Sequence, residues 1–206
     1  IHVIGKENIA KDKKCCYVGN HYAASEPILY FPIFEEPISF LGKVEIEKYP
    51  YVGKLLKIGG GRFLKRDDLK QQLKVMMKVQ ESLKNQETNW FVFAEGTRNK
   101  DQMHNVAPFH NGTFRAAMKA GVDIVPVVNY GAFRILSLGK SWKRYPTVVK
   151  FLQPITPEQY ANMTTEEVAK LAHSMIQREL DFSVRKIYHE DMLKIGDKKY
   201  RFNELF

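Results

Sequence analysis

Cysteine is scarce in this chain of 206 residues, which holds two, Cys15 and Cys16, side by side. Neighbouring side chains on a strand point to opposite faces, so these thiols are poorly placed for a disulfide with each other. Two thiols without a second pair make no zinc site, and no histidine, cysteine and aspartate cluster has metal-ligand spacing. We therefore expect buried, reduced cysteines, no metal and no bound redox cofactor.

Long apolar runs are also missing. No window approaches the roughly 18 apolar residues typical of a membrane-spanning helix, and no signal-peptide pattern is present. The chain starts with Ile1 rather than methionine, which leaves open an N-terminal membrane segment ahead of it. Internal repeats and low-complexity linkers are absent, so residues 1–206 are predicted to form a single domain.

Acidic residues are too few to balance the basic ones. The chain has 32 Lys and Arg against 23 Asp and Glu, a formal net charge of +9. This sign fits nucleic acid, a phospholipid surface or phosphorylated metabolites, and it does not rank them. No recognisable nucleic-acid motif or aromatic stacking platform is present, so a nucleic-acid-binding module is a rival interpretation without further support.

Short apolar runs alternate with helix-like stretches. Strands are predicted at residues 15–18, 43–48, 62–64, 90–94, 122–128 and 147–152. Strict alternation at 43–48 is typical of a half-exposed strand, whereas 122–128 is nearly all apolar, as in a strand covered on both faces.

Helix signals fill the intervals between the strands. Asp67 is predicted to cap a helix that runs through about Leu83, and its apolar side would contain Leu69, Leu73, Met76 and Leu83. A second helix is predicted at 112–120, and Thr164 with Glu167 forms a capping-box pattern before a third. This alternation predicts an α/β domain with a largely parallel, mixed sheet flanked by helices.

Polar residues follow two of the predicted strands, at the edge where α/β sheets place their sites. His21 comes after the first strand and Glu26 five residues later. A neutral imidazole near neutral pH suits a general base, and a carboxylate on its other nitrogen would fix the tautomer. By itself the pair is weakly specific, because a histidine near an acid is common.

The stretch after the strand at 90–94 is Glu95, Gly96, Thr97 and Arg98. Gly96 permits a tight turn, and Arg98 can hold a phosphate or carboxylate by paired hydrogen bonds. The alternative is that Glu95 and Arg98 satisfy each other as a structural ion pair at the sheet edge.

Four blocks, NHYAASE, GGRFLKR, FAEGTR and IVPVVNYGA, resemble in order and spacing the motifs of the glycerolipid acyltransferases. The similarity is greatest to the 1-acyl-sn-glycerol-3-phosphate (lysophosphatidic acid) acyltransferases. It covers roughly residues 14–132, and a strand, helix and tail follow at 147–206. The His-x4-acid block is poorly specific alone, whereas EGTR in this context is highly specific.

The resemblance implies a role for each matching residue. His21 would deprotonate the sn-2 hydroxyl of lysophosphatidic acid, which then attacks an acyl thioester of coenzyme A or acyl carrier protein. Lys65 and Arg66 would bind the acceptor phosphate, Glu95 to Arg98 would take part in acceptor binding, and Pro126 would shape a pocket. For Pro126, a bend in a core strand is an equal alternative.

Two residues depart from the family pattern. Glu26 stands where aspartate is usual, and its extra methylene leaves open a slow or disabled, lipid-binding relative. Ala94 replaces a usual proline, which bears on turn rigidity. The acceptor is also open, because glycerol-3-phosphate or another lysophospholipid presents the same phosphate.

Such an acceptor lies in membranes, and two basic stretches suit an anionic lipid surface. Residues 134–150 hold five basic and no acidic residues around Trp142 and Tyr145, and residues 43–74 hold nine basic against four acidic. Cations beside interfacial aromatics fit a headgroup region, although a solvated basic face is the alternative. We expect a membrane-associated, cytosol-facing protein, because reduced thiols favour that compartment.

Overall fold

Seven strands form one sheet with the second strand at its centre. The computed structural model describes residues 1–99, 105–133, 147–181, 193–195 and 198–200. The strands are β1 (His2–Ile4), β2 (Cys16–Gly19), β3 (Ile38–Lys43), β4 (Arg62–Leu64), β5 (Asn89–Phe93), β6 (Ile124–Tyr130) and β7 (Val148–Phe151). Their order is β1-β7-β6-β2-β5-β3-β4, and every neighbouring pair is parallel except β6 with β7. The predicted α/β class with a largely parallel, mixed sheet is confirmed.

Helices cover both faces of this sheet. One face carries α1 (Glu26–Tyr30) and α2 (Val52–Ile58). The other carries α3 (Leu69–Lys84), α4 (Asn111–Ala120) and α6 (Thr165–Glu179), with the short α5 (Pro157–Tyr160) before α6. The predicted capping box of α6 is confirmed, since Thr164 and Glu167 exchange hydrogen bonds between side chain and backbone.

Two hydrophobic cores lie on opposite sides of the sheet, because successive strand residues point to opposite faces. Cys16 and Val18 pack under α3, α4 and α6, whereas Cys15 and Tyr17 pack under α1 and α2. Both cysteines are buried and free, as expected from their adjacency. Each buried aliphatic or aromatic side chain contributes about 1.5–3 kcal/mol of transfer free energy.

The strand prediction at 43–48 is wrong. β3 ends at Lys43, and Val44–Lys48 is a short 3₁₀ helix. The pairing of β3 with the buried β5 ends at Phe40 opposite Phe91, so beyond it only the three-residue edge strand β4 is a partner. A half-exposed alternating pattern without a full partner strand does not specify extended backbone.

The helix α3 begins one residue later than predicted and turns a different side to the core. Asp68 is its N-cap, and its Oδ1 accepts a hydrogen bond of 2.9 Å from the backbone N–H of Gln71. Leu83 is buried as predicted, but Leu69 and Leu73 are 69% and 54% exposed. The predicted apolar side therefore divides between the core and the surface.

The end of the chain contains a further strand pair. Leu193–Ile195 (β8) pairs antiparallel with Lys198–Tyr200 (β9) in a separate two-stranded sheet. Of the basic stretch at 134–150, residues 134–146, which include Trp142 and Tyr145, lie outside the described residues.

Candidate active site

The site begins with a histidine and a carboxylate at the end of the central strand. Nδ1 of His21 lies 2.6 Å from Oε2 of Glu26, and the Glu26 side chain is fully buried. Glu26 also accepts hydrogen bonds of 3.1 and 3.2 Å from the backbone N–H of Tyr22. The His21 ring stacks on Phe93 of β5 with centroids 4.1 Å apart. The imidazole is therefore held on one side by an ionisable partner and on one face by a neighbouring strand.

Glu95 positions the backbone of this histidine rather than forming an ion pair. It is 2% exposed, and its carboxylate accepts hydrogen bonds from the N–H of His21 at 2.6 Å and of Ala107 at 2.9 Å. Burial raises the pKa of Glu95 to about 7, although the two donated N–H groups lower it. Both Glu95 and Arg98 are described, and no ion pair joins them, so the structural ion-pair alternative is wrong.

Two buried asparagines lock the ends of β2 and β6 together. The backbone N–H of Asn129 donates to Asn20 Oδ1 at 2.8 Å, and the side-chain amide of each donates to the other's backbone carbonyl at 2.9 Å. The hydroxyl of Tyr30 in α1 donates to Asn129 Oδ1. Because Asn20 precedes His21 and α1 carries Glu26, this network holds both members of the pair against the sheet.

Cations gather on the side of the site nearest β3 and β4. The Arg66 guanidinium donates to the carbonyl of Gly96 at 3.3 Å, which ties the turn after β4 to the EGTR loop. Burial lowers the pKa of Lys43, and the charges of Arg66 and Arg98 lower it further. Arg66 and Arg98 therefore lie close enough for their charges to act on a third cation, Lys43, at the carboxyl ends of parallel strands.

The backbone around this group is fixed by short-range contacts. Gln71 and Gln72 in the first turn of α3 hydrogen-bond the backbone of Lys65 and Arg66, whose side chains are exposed. Thr97 is likewise exposed. These hydrogen bonds order the backbone of the basic turn, and its charged side chains remain in solvent.

Gly96 has a left-handed backbone, with φ of 62°, where a side chain would collide with its neighbour. A Cβ on Gly96 would lie 2.7 Å from the ring of His110. The backbone N–H of His110 also donates to the carbonyl of Ala94 at 2.8 Å. The left-handed backbone therefore favours glycine here, and a side chain would also displace the exposed ring of His110.

Pro126 lies inside β6 in register with Val18, below the strand ends that carry the other residues. It is buried, and its carbonyl accepts a hydrogen bond of 2.9 Å from Leu152. Its role in shaping a pocket stays a prediction.

A surface hollow of about 610 Å³ lies elsewhere, at the amino edge of the sheet, and none of the predicted site residues lines it. Among the described residues, no group of three or more histidines, cysteines and carboxylates is placed to hold a metal ion. In the same part of the chain, no helix combines the length and apolar character needed to cross a bilayer.

Sequence reasoning missed three residues of this site. The sequence predicts that Lys43 begins a strand, whereas it ends β3, and a strand end is where a site residue is expected. Asn20 and Asn129 each stand at the end of an apolar run, and a polar amide in that position was an available signal for a buried hydrogen-bond network.

Known proteins resemble this chain over most of its length. The family described as Acyltransferase matches residues 1–130. The 1-acyl-sn-glycerol-3-phosphate acyltransferase of Saccharomyces cerevisiae is 26% identical over 88% of this chain and 59% of the yeast protein. That of Haemophilus influenzae is 25% identical over 88% of this chain and 77% of its own length.

A solved structure is also similar to most of the chain. The crystal structure of the 1-acyl-sn-glycerophosphate (LPA) acyltransferase PlsC from Thermotoga maritima superposes with a TM-score of 0.70 at 27% identity. The match covers 87% of this chain and 70% of that one. This chain spans less than two thirds of the yeast relative's length.

Proposed function

Because this chain belongs to the acyltransferase family, we propose that it transfers an acyl chain from an acyl thioester to the sn-2 hydroxyl of lysophosphatidic acid, giving phosphatidic acid. The observation that carries the proposal is the 2.6 Å contact between His21 Nδ1 and Glu26 Oε2 beside the EGTR loop. The names of the yeast and H. influenzae relatives support the choice of acceptor.

The pair has the chemistry of a general base. An ionised carboxylate only accepts hydrogen bonds, so the proton between Glu26 and His21 belongs to Nδ1, and Nε2 keeps its lone pair. Nε2 takes the proton of the acceptor hydroxyl as that oxygen attacks the thioester carbonyl. The carbon–sulfur bond then breaks, and the imidazolium returns the proton to the leaving thiolate, while Glu26 stabilises the positive ring in between.

The cations beside the pair suit the acceptor's phosphate. Arg66 and Arg98 each offer a guanidinium fork, which binds phosphate oxygens in pairs, and Lys43 and Lys65 add point charges. We assign Gly96 and Thr97 to the same acceptor-binding loop. Glu95 acts differently in this proposal. Its buried carboxylate accepts the backbone N–H groups of His21 and Ala107, so we assign it to positioning His21 instead of touching the acceptor.

The rival interpretation is a lipid-binding relative with a site disabled by Glu26. It has less support, because the longer side chain reaches the imidazole at hydrogen-bonding distance and is not displaced from it. The donor stays a choice between acyl-coenzyme A and acyl carrier protein. We also propose an anionic, cytosol-facing membrane surface as the place of reaction.

The test is thiol release from acyl-coenzyme A, and separately from acyl carrier protein, with lysophosphatidic acid or glycerol-3-phosphate as acceptor. Phosphatidic acid is identified by mass. We expect release that depends on lysophosphatidic acid and is lost in His21→Ala. His2→Ala, which removes an exposed histidine at the far end of the sheet, is the matched control and should retain activity. Acceptor-dependent release from His21→Ala equal to that of the wild type would contradict the proposal.

A further inference from the structure

Helix α3 exposes a row of large apolar side chains. Leu69, Leu73 and Met77 are 69%, 54% and 69% exposed. They are spaced four residues apart, so they form one continuous ridge along the helix. The core-facing side of α3 is a different set that includes Val79 and Leu83. Single exposed leucines are ordinary, but an ordered row on one helix indicates a surface that meets an apolar partner.

A row of cations runs beside this ridge. Lys70, Lys74 and Lys78 are all exposed and follow the three apolar residues one position later. Residues 69–80 contain no acidic side chain, and the neighbouring carboxylates are Asp67 and Asp68 before the helix and Glu81 after this stretch. An apolar ridge beside a lysine row matches the interfacial region of a bilayer that contains anionic lipid.

The helix also lies beside the cationic group of the site. Its first residue, Leu69, follows Arg66 by three positions, and the Arg66 guanidinium contacts Gly96 of the EGTR loop. The ridge extends about 12 Å from Leu69 to Met77, at 1.5 Å per residue. A bilayer lying along this ridge would bring phosphorylated headgroups next to Arg66.

We propose that the exposed face of α3 docks on an anionic phospholipid surface, with Leu69, Leu73 and Met77 among the upper acyl carbons and the three lysines against the headgroups. The purpose of this contact rests on the proposed function, because it delivers a lipid acceptor to the site. The contact itself is a binding property that can be measured without turnover.

The test is sedimentation with phosphatidylcholine vesicles that contain or lack phosphatidylglycerol. One variant replaces the ridge (Leu69→Gln, Leu73→Gln, Met77→Gln) and another the lysine row (Lys70→Gln, Lys74→Gln, Lys78→Gln). The control changes one exposed leucine and two exposed cations on α6 (Lys170→Gln, Leu171→Gln, Arg178→Gln). Each lysine at an anionic surface strengthens binding about fivefold, so the lysine variant should bind anionic vesicles about a hundredfold more weakly.

The ridge variant should bind the same vesicles at least about tenfold more weakly than the wild type, and the α6 control should bind like the wild type. The fluorescence emission of a polarity-sensitive dye attached to Leu73→Cys should shift to shorter wavelength when anionic vesicles are added. The emission of the same dye attached to Ser174→Cys in α6 should not shift. This second measurement keeps the test valid if a triple variant folds poorly.

Wild-type binding by both α3 variants, or no shift from the Leu73→Cys dye, would overturn the proposal. So would a change in oligomeric state without a change in vesicle binding, which would assign the face to a second copy of the chain. Turnover of a short-chain, water-soluble acceptor separates the two proposals. The α3 variants should retain it, whereas its absence in the wild type would contradict the proposed function and leave the vesicle result standing.

Discussion

Replacing Glu26 by aspartate should weaken this site, even though aspartate is the residue that the family pattern usually has there. Oε2 of Glu26 lies 2.6 Å from His21 Nδ1, and the same carboxylate accepts from the N–H of Tyr22 at 3.1 and 3.2 Å. One methylene less withdraws the carboxylate by about 1.5 Å. With the backbone held by the Asn20–Asn129 network, the distance to Nδ1 opens to about 4 Å, which is no hydrogen bond.

The expected loss follows from the strength of that bond. A hydrogen bond to a charged group is worth about 1.5–3 kcal/mol, which corresponds to a fall of about ten- to 150-fold in kcat/KM. Glu26→Gln should lower kcat/KM further, by about 10³–10⁴-fold. Its side-chain NH₂ can donate a hydrogen bond to Nδ1, which places the ring proton on Nε2 and removes the base. Initial rates of thiol release, with His21→Ala as the baseline, measure both variants.

An aspartate variant as active as the wild type, or more active, would refute this reasoning. It would mean that α1 shifts toward the imidazole when the side chain shortens. Unfolding by urea provides the control, because a Glu26→Asp protein that loses rate while keeping most of its stability has lost catalytic geometry rather than its fold.

Three other substitutions test the surrounding structure. Burial raises the pKa of Glu95 from 4.5 to about 7, so its contribution to stability is full below about pH 4.5 and is lost as the pH rises through about 7. The wild type should therefore lose on the order of 3 kcal/mol of unfolding free energy between about pH 5 and about pH 8. Urea unfolding at these two pH values should show that Glu95→Gln lacks this pH dependence. Gly96→Ala should lower the free energy of unfolding by about 1–2 kcal/mol, because alanine is strained at this positive φ. Gly112→Ala, in open space on α4, should be neutral or stabilising, and equal thermal midpoints for the two variants would contradict this. Asn129→Leu removes the side-chain partner of the Asn20 backbone carbonyl and of the buried Tyr30 hydroxyl, and should cost about 2–4 kcal/mol in chemical denaturation. An unchanged midpoint would show that the network is not needed.

The central strands were predictable because their sequences permit little else. The runs that became β5 and β6 are apolar on both faces, and a strand between two helical layers needs that pattern. The pairing of His21 with Glu26 was predictable from spacing, since residues this close in the chain need only one local turn to meet.

Features that depend on distant parts of the chain were not predictable in the same way. The lock between Asn20 and Asn129 joins residues 109 positions apart, and it exists only once β2 and β6 are paired in register. Lys43 was misplaced because the alternation after it resembles a strand, while the missing partner strand decides the outcome. Leu69 and Leu73 have the right period for a core side, but the core-facing residues of α3 are a neighbouring set that includes Val79 and Leu83.

The two adjacent cysteines supply an internal pair of probes for how the molecule comes apart. Burial raises the pKa of both Cys15 and Cys16 to about 12, so neither thiol reacts while its own layer remains closed. Each thiol belongs to a different core, and one peptide bond separates them. In single-cysteine variants, the labelling rate of Cys15 therefore measures how fast the α1–α2 layer opens. The labelling rate of Cys16 measures how fast the α3–α4–α6 layer opens. Equal rates would describe one cooperative unit, and unequal rates two units that share a strand.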